Sequence, residues 1–266
     1  MSEAPGTTGL GGRGILVTRP AARASGLSRL ISEAGGEPVV FPTLEIVSIP
    51  DGLPRQQRMD GQNVIRSIPH FVIFVSPTAV AQGHAAIPRE WLDQAAVAAV
   101  GTATATALRE RGVQQVIAPQ GQADSEALAA LPAFHASELV GRQVLIVRGQ
   151  GGREWLADTL RSRGAQVDYF ECYRRARPQA DAGALLSRWQ SGGVAAVTLT
   201  SAEALDNLAA MLGPAGGALL GATPMFVVHE RIAARARALG VQRIVVTGAG
   251  DAAMVAGLQR FFATVA

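Results

Sequence analysis

The sequence contains no lysine; all 24 of its basic side chains are arginine. That excludes a Schiff-base lysine, a pyridoxal-phosphate enzyme and a Walker-type phosphate loop, each of which needs an amine at a fixed place. Cys172 is the single cysteine, so no internal disulfide and no cysteine-rich zinc site can form. The four histidines, His70, His84, His135 and His229, lie far apart without metal-ligand spacing. Aromatic residues are only 5% of the chain, and no basic cluster carries them interleaved. The expectation is therefore no metal and, with a net charge of only +3, no nucleic-acid partner.

Long apolar runs are also scarce. The longest uncharged stretch, Asn207–Val228, has the length to span a bilayer. Gly213, Pro214, Gly216, Gly217, Gly221 and Pro224 interrupt it, so it reads as a helix end, a loop and a buried strand. Met1–Arg13 is glycine-rich, carries Glu3 and lacks the basic start and apolar core of a signal peptide, which reads as a flexible tail. The expectation is a soluble, cytoplasmic monomer with no membrane contact.

What is present is a steady alternation across 266 residues, 48% of them apolar. Continuous apolar runs predict strands at Gly14–Thr18, Glu37–Phe41, Phe71–Ser76, Ala96–Val100, Gln115–Ala118, Gln143–Arg148, Gln166–Tyr169, Ala195–Thr200, Met225–Val228 and Arg243–Thr247. Helical stretches fall between them: Ala21–Ala34, Pro77–Ala85, Ala103–Arg111, Arg153–Arg163, Ala202–Leu212, Arg231–Leu239 and Ala252–Phe262. Several end at Gly35, Gly112, Gly164 and Gly240, a common helix stop. The fold class is α/β, with parallel sheets covered by helices on both sides.

The chain repeats itself. Gly14–Arg19 resembles Gln143–Arg148, and Leu27, Gly35 and Phe41 recur 129 residues on as Leu156, Gly164 and Phe170. Leu108–Val116 returns as Ala236–Ile244, 128 residues later, and Val75–Val80 returns as Thr200–Leu205 with an offset of 125. These matches in order indicate two similar lobes, each a parallel sheet flanked by helices. Each repeat also has a helix-poor passage at an equivalent place, Phe41–Ile46 and Phe170–Arg175. Two crossovers there make a two-stranded linker. The first lobe then combines 1–43 with 175–266, the second holds 46–172, and the linkers lie near 44–45 and 173–174. A simple split near 140 is the other arrangement.

Ser76 and Ser201 each follow an apolar strand and precede a helix, where an open parallel sheet binds ligands and helix amides favour anions. Both also suit plain helix caps. Thr102 is a third hydroxyl of the same type; the duplicate of its segment is His229-Glu230, which breaks the symmetry, and His229 is either a cap or a titratable cleft residue. Arg19 and Arg148 close equivalent strands with guanidinium forks suited to carboxylates. Gly248–Asp251 and Gly149–Gly152 resemble phosphate-cradling loops, but neither completes the dinucleotide pattern, and tight turns account for them better. Tyr173 lies in the linker and its duplicate is Leu44, so the repeated scaffold does not require a phenol. A phenol can donate a proton or hydrogen bond to a leaving oxygen; it also packs well at a lobe edge.

Together these residues resemble the uroporphyrinogen-III synthase family over nearly the full length, from Val17-Thr18-Arg19-Pro20 to Gly250-Asp251-Ala252-Ala253. Further matching points are Phe74–Val80, Ala99–Thr104, Tyr173-Arg174-Arg175 and Leu199–Glu203. The resemblance implies two lobes with an active cleft between them and cofactor-free cyclisation of hydroxymethylbilane, with inversion of ring D and loss of water. It also implies that Tyr173 assists hydroxyl departure and that Ser76, Thr102 and Ser201 are polar cleft positions. Arg19, Arg148 and His229 are expected as further substrate contacts from their own places after strand ends, the family's counterpart of His229 being variable. The expected partner is that small molecule, with transient contact to the preceding pathway enzyme.

The chemistry follows from the substrate. A pyrrole nitrogen pushes electrons, so the terminal hydroxymethyl group ionises once its oxygen takes a proton. Ring D is then attacked at its substituted carbon, and the spiro intermediate reopens and recloses inverted. Holding the two ends together is the entropic share of catalysis. Eight substrate carboxylates suit arginine forks. The rival classes are a non-catalytic two-lobed module binding an anionic tetrapyrrole, and a nucleotide-dependent enzyme using Gly248–Asp251.

Overall fold

A computed structural model describes residues 9–49, 68–121 and 124–264. The first positions of the presumed tail, 1–8, lie outside the described residues.

In chain order the elements are β1 (Gly14–Val17), α1 (Ala21–Glu33), β2 (Glu37–Val40), β3 (Glu45–Ser48), β4 (Phe71–Phe74) and α2 (Pro77–Gly83). Next come α3 (Arg89–Gln94), β5 (Ala96–Ala99), α4 (Thr102–Arg109), α5 (Ser125–Ala129), α6 (Ala136–Leu139), β6 (Gln143–Gly149) and α7 (Trp155–Ser162). The chain continues with β7 (Gln166–Ala176), α8 (Gly183–Gln190), β8 (Ala196–Leu199), α9 (Ala202–Ala222), β9 (Met225–Val227), α10 (Glu230–Ala238), β10 (Ile244–Val246) and α11 (Asp251–Thr264).

The chain divides into two compact units. One holds the chain up to Glu45 and again from Ala176 onward; the other is Ile46–Arg175. The first contains a sheet in the order β10-β9-β8-β1-β2. Its central strands are buried on both faces because α8, α9 and α10 cover one side and α1 and α11 the other. Buried hydroxyls tie the middle together: Thr18 donates to the Thr198 carbonyl and Thr198 to that of Leu16, each at 2.8 Å. The second unit has the order β3-β7-β6-β4-β5, with α2 and α4 packed on one face and α5 and α7 on the other.

The two sheets share one pairing register. Gly14 pairs with Glu37 as Gln143 pairs with Gln166, both 129 residues on. Ile15 faces Ala196 as Val144 faces Phe71, and Val197 faces Met225 as Val72 faces Val97. Helix ends repeat as well: Gly112 and Gly240 both have positive φ, 86° and 84°.

Three expectations need correction. Gln115–Ala118 is not a strand; Ile117 alone bridges Ala98, the counterpart of Val245 beside Phe226, and Pro119 stops the pairing. The loop expected within Asn207–Val228 is absent: α9 runs to Ala222, broken only at Gly213 (φ 60°, ψ −162°). Pro214 follows in the first turn of the new helical run, where its missing N–H costs nothing. The strand expected at Gln166–Tyr169 does not stop there: β7 runs eleven residues to Ala176 through the second helix-poor passage, while β3, short and half exposed, takes up only the end of the first. Among the described residues, no helix is long and apolar enough to cross a membrane.

Candidate active site

In each unit the residues singled out from sequence gather at one sheet edge, because parallel strands bring their carboxyl ends together. In the first unit Arg19 follows β1, Ser201 follows β8 and His229 follows β9, on three adjacent strands. Ser201 caps α9, its Oγ accepting from the Ala204 N–H at 3.1 Å. His229 caps α10 through Nδ1, which accepts from the Arg231 N–H at 3.1 Å. Arg19 pairs with Asp251 at the start of α11, 2.5 Å from Nη1 to Oδ1, and its buried Nε has no partner.

In the second unit Ser76 follows β4, Thr102 follows β5, and β6 and β7 end beside Tyr173. Ser76 caps α2 by accepting from the Ala79 N–H at 3.1 Å, ahead of Pro77 in the first turn. Thr102 is the exposed first residue of α4 and is not its cap, which is Gly101.

Tyr173 owes its direction to an irregularity. Arg148 pairs with Glu171 but Gly149 pairs with Tyr173, so β7 carries one extra residue, Cys172. Such a bulge re-aims the following side chain. Tyr173 is 4% exposed and packs with Phe170 and Cys172. Its hydroxyl lies 3.5 Å from the Ser76 Oγ.

A pocket of about 280 Å³ opens beside it, lined by Tyr173, Tyr169, Arg148, Arg153, Arg175 and the Gly149–Gly152 loop. Arg148, 5% exposed, is held inward. Its Nε donates to the Gly149 carbonyl at 3.2 Å, Nη1 to Glu154 at 2.9 Å and Nη2 to the Gly151 carbonyl, while its guanidinium lies 4.6 Å from the Tyr169 ring centre. A buried guanidinium persists only with such partners. The Tyr169 hydroxyl donates to the other Glu154 oxygen. Burial, and then that carboxylate, push the Tyr169 phenol up to about 12. The hydrogen bond from Tyr169, and then Arg148, hold Glu154 below the usual carboxylate range.

Sequence reasoning missed Tyr169 and Glu154. Tyr169 shares the period-two spacing of Glu171 and Tyr173, a signal that would have extended β7 and placed the ring next to β6. Among the described residues, no three His, Cys, Asp or Glu side chains form a metal-binding cluster.

A family model described as uroporphyrinogen-III synthase HemD matches residues 25–256. The chain belongs to the uroporphyrinogen-III synthase family. By that membership it is a lyase-type enzyme of porphyrin biosynthesis. Its uroporphyrinogen-III synthase relatives include that of Salmonella typhimurium, 32% identical over 255 residues, with 89% of this chain and 96% of the relative covered. The uroporphyrinogen-III synthase of Escherichia coli is 33% identical over 243 residues, with the same coverage of 89% and 96%. Two solved structures share the fold. The uroporphyrinogen-III synthetase of Helicobacter pylori aligns with a TM-score of 0.58 at 11% identity, covering 96% of this chain and 99% of that one. A mutant uroporphyrinogen III synthase from Thermus thermophilus gives 0.55 at 18% identity, covering 95% and 99%.

Proposed function

We propose that this enzyme cyclises hydroxymethylbilane to uroporphyrinogen III with inversion of ring D, and that Tyr173 is the group assisting departure of the terminal hydroxyl. The observation that carries the residue assignment is the Tyr173 hydroxyl, 3.5 Å from Ser76 at the carboxyl edge of its sheet and on the wall of a pocket rich in arginine. The phenol gives its proton to the leaving oxygen, water departs, and the pyrrole nitrogen carries the resulting charge. Ring closure through the spiro intermediate ends with loss of a proton from the closing pyrrole, which restores the phenol. The net change is one water lost, without redox chemistry.

In this reading Ser76 and Thr102, at the carboxyl edge of the second unit's sheet, and Arg19, Ser201 and His229, at that of the first, are substrate contacts. Domain bounds of 1–43 with 175–266 and 46–172, linked near 44–45 and 173–174, belong to the same proposal. So do a cytoplasmic monomer and a transient encounter with the enzyme that supplies the bilane.

The test is to supply hydroxymethylbilane and separate the product isomers. Uroporphyrinogen III formed faster than the blank is expected. Only the non-inverted type I ring at the blank rate refutes the activity, and saturable binding without turnover would indicate a binding module instead.

A further inference from the structure

Arg148 ends β6 with its charged group turned away from solvent, and what it grips is the loop that follows. Gly149, Gly151 and Gly152 have no side chains with which to hold that loop, and Gly151 and Gly152 sit at positive φ of 73° and 103°. Such a segment loses much conformational entropy on ordering. The Arg148 fork supplies the restraint by donating to the carbonyls of Gly149 and Gly151, and Glu154, at the loop's far end, closes the clamp. Tyr169 fixes the clamp in turn, its ring against the guanidinium and its hydroxyl on Glu154.

The same loop bears on Tyr173 twice. The Gln150 N–H donates to the Tyr173 carbonyl at 2.7 Å. Gly149 lies against the phenol ring, so closely that an added Cβ would sit 2.5 Å from two ring carbons.

We propose that Arg148 is a positioning residue for Tyr173: its guanidinium holds the Gly149–Gly152 loop, and the loop sets the height and tilt of the phenol over the pocket. Glu154 and Tyr169 are the outer members of the same device. The proposal rests on the reading above that the Tyr173 phenol assists hydroxyl departure. It gives Arg148 a role distinct from substrate contact, because each of its three nitrogens donates to a group within the clamp.

Arg148→Lys keeps the charge but replaces a planar fork by a single ammonium that cannot reach three acceptors. The expected result is a loss in kcat of up to about 100-fold, as for a misplaced reacting group, with KM unchanged. Combined with Tyr173→Phe, the substitution should add no further loss, since both act through one phenol. With ring-labelled tyrosine the protein gives two sets of ring resonances, Tyr173 being the set lost in Tyr173→Phe; Arg148→Lys should move that set. Glu154→Gln, half exposed and expected to fold, is the second variant and should show the same pattern in weaker form. If Arg148→Lys does not fold, Glu154→Gln decides. Losses that multiply with Tyr173→Phe, a rise in KM with kcat intact, or an unmoved Tyr173 resonance overturn the proposal and leave the phenol's assignment standing. A fully active Tyr173→Phe enzyme overturns both.

Discussion

Gly149 and Tyr173 pair across β6 and β7 with the phenol ring lying where any side chain at 149 would go; a Cβ there would be 3.0 Å from the Tyr173 hydroxyl oxygen. The glycine is required for close approach and not for its backbone angle, since its φ is not positive.

Gly149→Ala should therefore displace the phenol rather than merely crowd a strand. Overpacking of this kind costs about 1–3 kcal/mol. The expected outcome is a modest fall in melting temperature with a larger proportional fall in kcat. Steady-state kinetics beside a thermal melt would check it, and unchanged turnover in a destabilised protein would show that the ring's position is not limiting.

Tyr173→Phe keeps the buried ring and removes only the hydroxyl that faces Ser76. Stability should stay within about 1.5 kcal/mol of the parent, the usual worth of one hydrogen bond, while turnover falls by roughly 100-fold or more. Rapid isomer analysis should then show type I product gaining share, because spontaneous closure competes. Unchanged kinetics would remove the phenol from the mechanism.

Cys172 should resist thiol reagents in the native protein. Burial pushes its thiol from an ordinary 9.0 up to about 11, so little thiolate exists at neutral pH. The folded value lies above the unfolded one, so the stability tied to this thiol is complete below about pH 9 and is lost as pH rises through about 11. Colorimetric titration should find no reactive thiol until denaturant is added, then one. A fast native reaction would contradict the packing around β7.

The indole N–H of Trp189 donates to the Thr223 hydroxyl at 2.9 Å inside the first unit, where both side chains are buried. Thr223→Val keeps the shape and strands the donor, which should cost about 1–3 kcal/mol. Equilibrium denaturation measures it, and a neutral result would mean that another acceptor takes the indole.

The repeat was legible because it is written in residue identity. Gly112 and Gly240, or Leu16 and Leu145, occupy equivalent places, and offsets read from the letters alone reproduce strand pairings such as Ile15 with Ala196 and Val144 with Phe71. Buried parallel strands advertise themselves as apolar runs. Half-exposed β3 does not, with Glu45 and Ser48 at its ends. The first run of α9, to Leu212, was legible and breaks at Gly213, but the second run, to Ala222, hid behind Pro214 and the glycines that follow it.

By itself, then, the sequence determined the α/β class, the duplication and the hydroxyls and arginines placed after strand ends, since these depend on local pattern and periodicity. Only the tertiary structure decided what those side chains touch. Arg19 and Arg148 look alike as residues closing matching strands, yet one pairs with Asp251 at the start of α11 and the other is turned inward to clamp a glycine loop. Direction of that kind is set by one extra residue in β7 and by contacts between segments far apart in the chain, and no spacing within a single strand encodes it.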